Sequence, residues 1–243
     1  MDTDAKKPEE KKYDTPVDLK NCCHTLKPLS PTEYGSMVTI IVGKDSEQRT
    51  FHVHEGLLKH HSAYFRAALK NEWEEGVTRT IKLPDDEPNI FAIYFSWLMI
   101  GKLYLDLDEN GLIPLSSWTL CKAFVFGDTR GSLEFCNACI DCLCQKISQK
   151  RYIHMPKIKW IYSNTLPGSS LRKLMIHVPI ANSTWDMRRF NLPAEFLLDL
   201  IETSVKLECV IGKRITTHQE LVADIQAHHY EFHNHQSSQD KRP

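Results

Sequence analysis

Four closely spaced cysteines are the residues whose type and spacing most suggest chemistry. They follow the pattern Cys136-x-x-Cys139-x-x-Cys142-x-Cys144, and thiolates at short spacings bind zinc or iron–sulfur clusters. Residues 133–144 contain neither the glycine nor the proline that would turn four thiolates towards one metal. On a helix the four side chains spread around the axis, and free cysteine packs as a small apolar residue. The spacing therefore favours core packing, and a thiol-bound metal or a redox role is the alternative.

Histidines near the C-terminus form a second candidate cluster. His229 and His233 lie four residues apart, one helical turn, which is a spacing that can bind a metal. Glu231 does not directly follow the first histidine, so the zinc-protease helix pattern is not met. Because chain ends are commonly solvated, we predict a polar, His-rich tail over residues 227–243 and no metal ligation.

Motifs for common enzyme chemistries do not occur in the sequence. Gly43-Lys44-Asp45 lacks the upstream glycine and the following Ser or Thr of a P-loop, and neither Gly-x-Ser-x-Gly nor Gly-x-Gly-x-x-Gly is found. The acidic pair Asp85 and Asp86 has no apolar surroundings to shift a pKa, so we interpret it as a solvated turn. The sequence thus predicts no catalytic, cofactor-binding or metal site and a protein that is not an enzyme.

Composition and charge limit the class of protein. The chain has 243 residues, 42% of them hydrophobic, with 30 Lys and Arg against 31 Asp and Glu. We expect no nucleic-acid partner, because the basic excess of such proteins is missing. We expect no membrane partner either, because no apolar run reaches the roughly 18–20 residues of a membrane span. Residues 2–13 alternate lysines with acids and do not form a signal peptide, so we expect a cytoplasmic or nuclear protein with reduced cysteines.

The hydrophobic pattern predicts a small sheet and many helices. Residues 37–43 are almost all apolar, which is typical of a strand buried on both faces, and a turn leads to a second strand over 50–54. Residues 79–83 predict a third strand. Helices are predicted from Ser62, which can cap the first turn, from Pro88, over 115–127 and 132–147, and from Pro193. The helix from Pro88 is apolar nearly all round and should be central.

Taken in order, these features resemble a BTB/POZ domain, and they resemble its fungal branch. Between residues 36 and 105 the sequence reads V-T-I-I-V-G, F-x-V-H-x-x-L-L-x-x-x-S-x-Y-F, W-x-E and I-x-L-P-D. The motif is carried by His54, Leu58, Ser62, Tyr64 and Phe65. The resemblance implies an α+β BTB/POZ fold, with a small, mainly three-stranded sheet packed with a cluster of helices. It also implies protein–protein interaction without catalysis, and a packing and hydrogen-bonding role for His54.

The resemblance further implies a candidate partner-binding site. BTB domains that recruit the cullin scaffolds of ubiquitin ligases share an apolar-x-Glu motif after the second helix, and Trp73-Glu74-Glu75 is similar to it. An aromatic anchor beside carboxylates suits a basic partner. Local packing of Trp73 is the alternative.

Self-association is a second property that the resemblance implies, but two positions differ here. Many BTB domains pair an Asp before the first strand with a Lys or Arg after the histidine that ends the second strand. Ser36 and Glu55 occupy these positions and cannot form an ion pair with each other. A homo-oligomer would therefore depend on apolar burial.

We therefore predict four regions along the chain. They are a disordered polar tail over residues 1–33, a BTB/POZ domain over 34–148 with its core signature at 36–105, a helical extension over 149–226 and the polar tail at 227–243. The predicted function is protein–protein interaction, by self-association or as an adaptor or scaffold. One alternative is a substrate adaptor of a cullin-RING ubiquitin ligase, and another is a Cys-rich metal-binding or redox protein.

Overall fold

The computed structural model describes residues 29–150, 157–181, 191–207 and 218–234. The strands are β1 (Met37–Val42), β2 (Arg49–His54) and β3 (Thr80–Leu83). The helices are α1 (Glu55–His61), α2 (Ala63–Ala68), α3 (Glu74–Thr78), α4 (Pro88–Ile100), α5 (Ser117–Thr129), α6 (Leu133–Lys150), α7 (Ile158–Ser163), α8 (Ser170–Ala181), α9 (Ala194–Lys206) and α10 (His218–His228). None of the helices in these ranges combines the length and the apolar character needed to cross a membrane.

The three strands form one sheet in the order β2-β1-β3. β1 and β2 make the predicted antiparallel hairpin, in which Met37 lies opposite His54, and β3 runs parallel to β1. Gly43 has a φ of +85° where the hairpin turns, a conformation that glycine adopts without steric strain.

The burial of β1 differs from the prediction. Val38, Ile40 and Val42 are fully buried, but Thr39 and Ile41 are only half-buried. Successive side chains of a strand point to opposite faces of the sheet, so only one face of β1 contributes to the core. The expectation of a strand buried on both faces was wrong, because an apolar run alone does not show whether a second layer covers it.

α4 lies in the centre of the helical layer, as its sequence predicts. Phe91 and Tyr94 are fully buried, and the ring of Tyr94 lies 4.9 Å from that of Phe135 on α6, between centroids. Gly101, with a φ of +71°, ends α4 in the left-handed conformation. α5 can approach α6 closely because Gly127 has no side chain, since a Cβ there would lie 2.7 Å from the Phe135 ring.

The ordered chain begins before the predicted boundary at residue 34. Leu29 packs partly against the core, and Pro31–Glu33 forms a 3₁₀ turn. The backbone amide of Ser30 donates a hydrogen bond of 2.8 Å to the carboxylate of Glu33. Residues 29–33 are therefore not a disordered tail, because this turn and an apolar contact hold them. The rest of the predicted tail, residues 1–28, lies outside the described residues.

Helices α7 to α10 form a helical C-terminal part that shares the hydrophobic core with the preceding helices. Arg172 of α8 is buried and donates hydrogen bonds to the backbone carbonyls of Tyr162, at 2.7 Å, and Thr165. Phe196 and Leu200 of α9 are buried in this core. Buried donors need acceptors, and these carbonyls satisfy the arginine.

The prediction of a solvated His-rich tail is wrong for residues 228–234. After α10 the chain makes a 3₁₀ turn in which His229, Phe232 and His233 are buried. Phe232 joins the hydrophobic core, and both imidazoles contact the carboxylate of Asp141 on α6. The apolar ring of Phe232 and the hydrogen-bonded imidazoles of His229 and His233 therefore favour burial of this segment. His235 and the residues after it lie outside the described ranges.

The acidic pair after β3 is solvated only in part. Asp85 is exposed and forms an ion pair of 2.6 Å with Lys44. Asp86 instead has a side chain only 19% exposed and forms an ion pair with Arg130, which follows α5. Burial raises the pKa of Asp86, and the guanidinium of Arg130 opposes that rise. The solvated-turn interpretation was therefore wrong for Asp86, because Arg130 and its surroundings cover this carboxylate.

Candidate protein-interaction surface

The loop after α2 brings Trp73 to the surface at the start of α3. Its side chain is 59% exposed, while its backbone carbonyl accepts hydrogen bonds from the amides of Gly76, at 3.1 Å, and Val77, at 3.2 Å. Val77 is 72% exposed. Trp73 precedes this short helix as its N-cap and Val77 lies within it, so both ends of one turn expose an apolar side chain.

Gly76 sets the position of this short helix. It is buried, and a Cβ added there would lie 2.0 Å from the backbone carbonyl oxygen of Lys70. The backbone of α3 can approach Lys70 this closely only because residue 76 has no side chain. The path of the backbone at Gly76 therefore determines where Trp73 and Val77 reach the surface.

Two carboxylates border the apolar pair. Glu74 is exposed and Glu75 is half-buried. Both belong to a shallow depression beside β3, an edge strand of the sheet. The depression is lined by Glu74, Glu75, Thr78, Thr80 and Lys82. We use the name acidic–aromatic surface for Trp73, Glu74, Glu75 and Val77. Val77 was not among the partner-binding residues predicted from the sequence, although it lies only four positions after Trp73.

Three of the five motif residues build the fold. Leu58, Ser62 and Phe65 are fully buried. The hydroxyl of Ser62 accepts a hydrogen bond of 3.2 Å from the amide of Phe65, so it caps α2 as predicted. The same hydroxyl donates a hydrogen bond of 2.7 Å to the carbonyl of Arg130. Ser62 thus fixes α2 against the turn between α5 and α6, and leaves no side-chain surface for a partner.

The other two motif residues, His54 and Tyr64, are more accessible. Nδ1 of His54 lies 3.3 Å from the carbonyl oxygen of Gly35, and its ring packs edge-on against Tyr34. The expected packing and hydrogen-bonding role of His54 is therefore observed. Tyr64 is 41% exposed and lies beneath the guanidinium of Arg130.

Ser36 and Glu55 lie side by side, and the Ser36 hydroxyl donates a hydrogen bond of 3.1 Å to the Glu55 carboxylate. Glu55 also forms ion pairs with Lys59 and, at 2.8 Å, with Arg79. Burial acts to raise the pKa of Glu55, but hydrogen bonds from Lys59, Arg79 and Ser36 outweigh it and lower the pKa. The carboxylate is therefore satisfied within one chain.

The clustered cysteines lie in the core. Cys136, Cys139, Cys142 and Cys144 are at most 4% exposed and form no disulfides. Burial raises the pKa of Cys142 to about 12, and it raises the pKa values of the other three well above the ordinary value. These thiols stay protonated at neutral pH, and the thiolate is the form that reacts and binds metals. The predicted core packing is confirmed.

Within the described ranges, the groups of side chains close enough to share a metal ion consist of histidine and aspartate, not cysteine. They are Asp141 with His229 and His233, and Asp224 with His177 and His228. The spacing of His229 and His233 was noted in the sequence, but their partner Asp141 lies 88 and 92 positions away and was not predicted. In the second group Asp224 and His228 are four residues apart on α10, and His177 lies 47 positions from Asp224 on α8.

Comparison with known protein families identifies a domain to which part of this sequence is similar. Residues 32–110 match the BTB/POZ domain. Together with the three-stranded sheet and the many helices, this shows an α+β BTB/POZ fold followed by a helical C-terminal part. BTB/POZ domains support protein–protein interaction in general. A search of curated proteins found no match. The resemblance to the fungal branch stays a prediction.

Proposed function

We propose that this protein is a non-enzymatic adaptor that binds a partner protein through the acidic–aromatic surface. The observation that carries the proposal is the exposed pair Trp73 and Val77, 59% and 72% exposed, beside two glutamates. Removing apolar surface from water favours association. Tryptophan is enriched among the residues that dominate binding at interfaces. A partner that covers Trp73 therefore gains more binding free energy than one that binds a polar part of the surface.

The glutamates indicate a partner with basic groups. Charge complementarity across an interface steers association and selects partners. A two-fold contact through this surface would place the same patch on both sides, so the glutamates of both copies would share one interface and add repulsion between like charges. The acidic–aromatic surface thus favours a different protein over a second copy of this chain. Self-association through another face is the alternative.

A cullin scaffold is the partner class that we propose. Trp73-Glu74-Glu75 resembles the apolar-x-Glu motif of cullin-recruiting BTB domains, and the exposure of Trp73 leaves it available as an anchor. The protein would then act as the substrate adaptor of a cullin-RING ubiquitin ligase. The helical C-terminal part would be left to bind the substrate.

The test is affinity capture from native cell extract with the double variant Trp73→Ala/Glu75→Lys. Removing the anchor and reversing one charge should weaken capture of a cullin at least tenfold, which corresponds to about 1.4 kcal/mol. The matched control is Leu166→Ala/Glu202→Lys, which also removes an exposed apolar side chain and reverses an exposed charge, but on the C-terminal part. The control should capture as much cullin as the wild type.

Three outcomes would count against these proposals. Absence of a cullin from the wild-type capture would reject the ubiquitin-ligase role. Equal capture by the Trp73 variant would mean that the partner uses another surface. Light scattering that shows a dimer which the Trp73 variant breaks would favour self-association at this surface.

A further inference from the structure

Asp141 on α6 holds two histidines from a distant part of the chain. Nε2 of His229 and Nε2 of His233 lie 2.5 and 2.7 Å from the same carboxylate oxygen, Oδ1. The two imidazole rings are 4.5 Å apart between centroids. His229 and His233 are only 7% and 3% exposed, so the surrounding protein holds both rings in place. Three potential metal ligands therefore converge on one point.

This set of side chains has the chemistry of a zinc site. Imidazole nitrogen and carboxylate oxygen bind zinc at about 2.0–2.2 Å, most often in tetrahedral geometry. Such bonds place neighbouring ligand atoms about 3.4 Å apart. The Nε2 and Oδ1 atoms of this group therefore have to separate by less than about 1 Å to admit an ion, which small side-chain rotations provide.

The hydrogen bonds of the group show which atoms the ion would replace. A carboxylate only accepts hydrogen bonds, so each Nε2 donates a hydrogen to Asp141. A metal ion takes the place of both hydrogens, and each neutral ring then carries its single proton on Nδ1. Two neutral imidazoles and one carboxylate offset one of the two charges of a divalent cation.

Asp141 also connects the group to solvent. Its side chain is 34% exposed, and it lines an open pocket between residues 101–105 and α6. A water molecule from this pocket can supply the fourth ligand, as in zinc sites with three protein ligands. Cys142 lines the same pocket, but its sulfur does not belong to the group of ligand atoms that lie within 4.8 Å of one another.

We propose that Asp141, His229 and His233 bind one zinc ion, which fastens the C-terminal segment to α6. The ion joins side chains that are 88 and 92 positions apart in the sequence. It would connect α6 to the end of the described chain. The site is independent of the acidic–aromatic surface, so each proposal can fail without the other.

A second group in the structure provides the control. Nε2 of His177 lies 2.6 Å from Oδ2 of Asp224. Nδ1 of His228 lies 3.7 Å from Oδ1 of Asp224, but only 2.9 Å from the backbone carbonyl oxygen of the same residue. Because that nitrogen already bonds the backbone, this second group is less ready to bind an ion.

The test measures zinc binding by the full chain after treatment with a chelator. Titration calorimetry should show one equivalent of zinc bound by the wild type and none by His229→Gln/His233→Gln. His177→Gln should keep the full equivalent. Circular dichroism checks that each variant is folded. Cobalt added to the wild type should give visible bands without a thiolate-to-cobalt charge-transfer band, because the ligands are nitrogen and oxygen.

The proposal is overturned by any of three results. The first is a wild-type protein that binds no zinc. The second is zinc retained by the double variant and lost in His177→Gln, which would assign the ion to the second group. The third is a thiolate-to-cobalt band, which would assign it to cysteines. When the double variant does not fold, His177→Gln and the cobalt spectrum decide the question together. Zinc retained by His177→Gln excludes the second group, and a spectrum without a thiolate-to-cobalt band excludes the cysteines.

Discussion

The carboxylate of Glu55 accepts a hydrogen bond from Ser36 and forms ion pairs with Lys59 and Arg79. Its pKa is lowered from the ordinary 4.5 because these bonds outweigh the effect of burial. A carboxylate with a lowered pKa in the folded state stabilises the protein fully above its ordinary pKa. That stabilisation is lost as the pH falls through the lowered folded-state value.

The first prediction at this scale is the pH dependence of Glu55→Gln. At pH 7 the variant should lower the free energy of unfolding by about 1 kcal/mol, because hydrogen bonds to a charged group are lost. The difference from wild type should shrink as the pH falls below 4.5. Urea unfolding across this range measures it, and Glu109→Gln, an exposed site, is the control. A loss that stays constant down to about pH 3 would contradict the prediction.

Single residues were predictable where their partners are close in sequence. Ser62 was recognised as a cap because its acceptor role involves an amide three residues later. The partners of His229 and His233 could not be found, since Asp141 lies 88 or more positions away and no local pattern links them. Arg79 was missed as a partner of Glu55 for the same reason.

At the scale of elements, α4 allows a comparison of two phenylalanines on one helix. Phe91 is fully buried, and Phe95 is half-buried. Phe91→Ala should lower the free energy of unfolding by about 3–5 kcal/mol, the range for large aromatic deletions in a core. Phe95→Ala should cost clearly less, because part of its ring already contacts water. Denaturant unfolding measures both, and similar small losses would show that α4 is not central.

The elements found from sequence are those with strong hydrophobic patterns. The second strand was predicted over residues 50–54 and is observed as Arg49–His54, and the helix from Pro193 begins one residue later. α3 was missed because five residues carry too little periodicity, and α10 because polar residues dominate it. The burial of α10 depends on contacts with α6 and α8, and a local sequence pattern does not reveal such contacts.

At the scale of the whole molecule, residues 218–234 close the structure against α6 and α8. A chain ending at residue 217 would lose the buried side chains of Ile225 and Phe232, 1% and 2% exposed. Each contributes about 1.5–3 kcal/mol by burial, so the denaturation midpoint should fall sharply. Helical circular dichroism should largely remain, because α4 to α6 are still present.

The control for this truncation is a chain ending at residue 234. Residues 235–243 contain no large apolar side chain, so their removal should change the midpoint little. Equal midpoints for the wild type and the chain ending at 217 would show that the C-terminal segment does not stabilise the fold.

The close approach of Gly76 to the Lys70 carbonyl has a consequence for how binding specificity can change. Trp73 and the glutamates provide the chemistry of the surface, but the missing side chain at position 76 provides its shape. A substitution there would move the anchor without altering any residue that a partner touches. Scanning the exposed side chains with alanine would therefore overlook a buried position through which the partner preference of this protein can be lost or redirected.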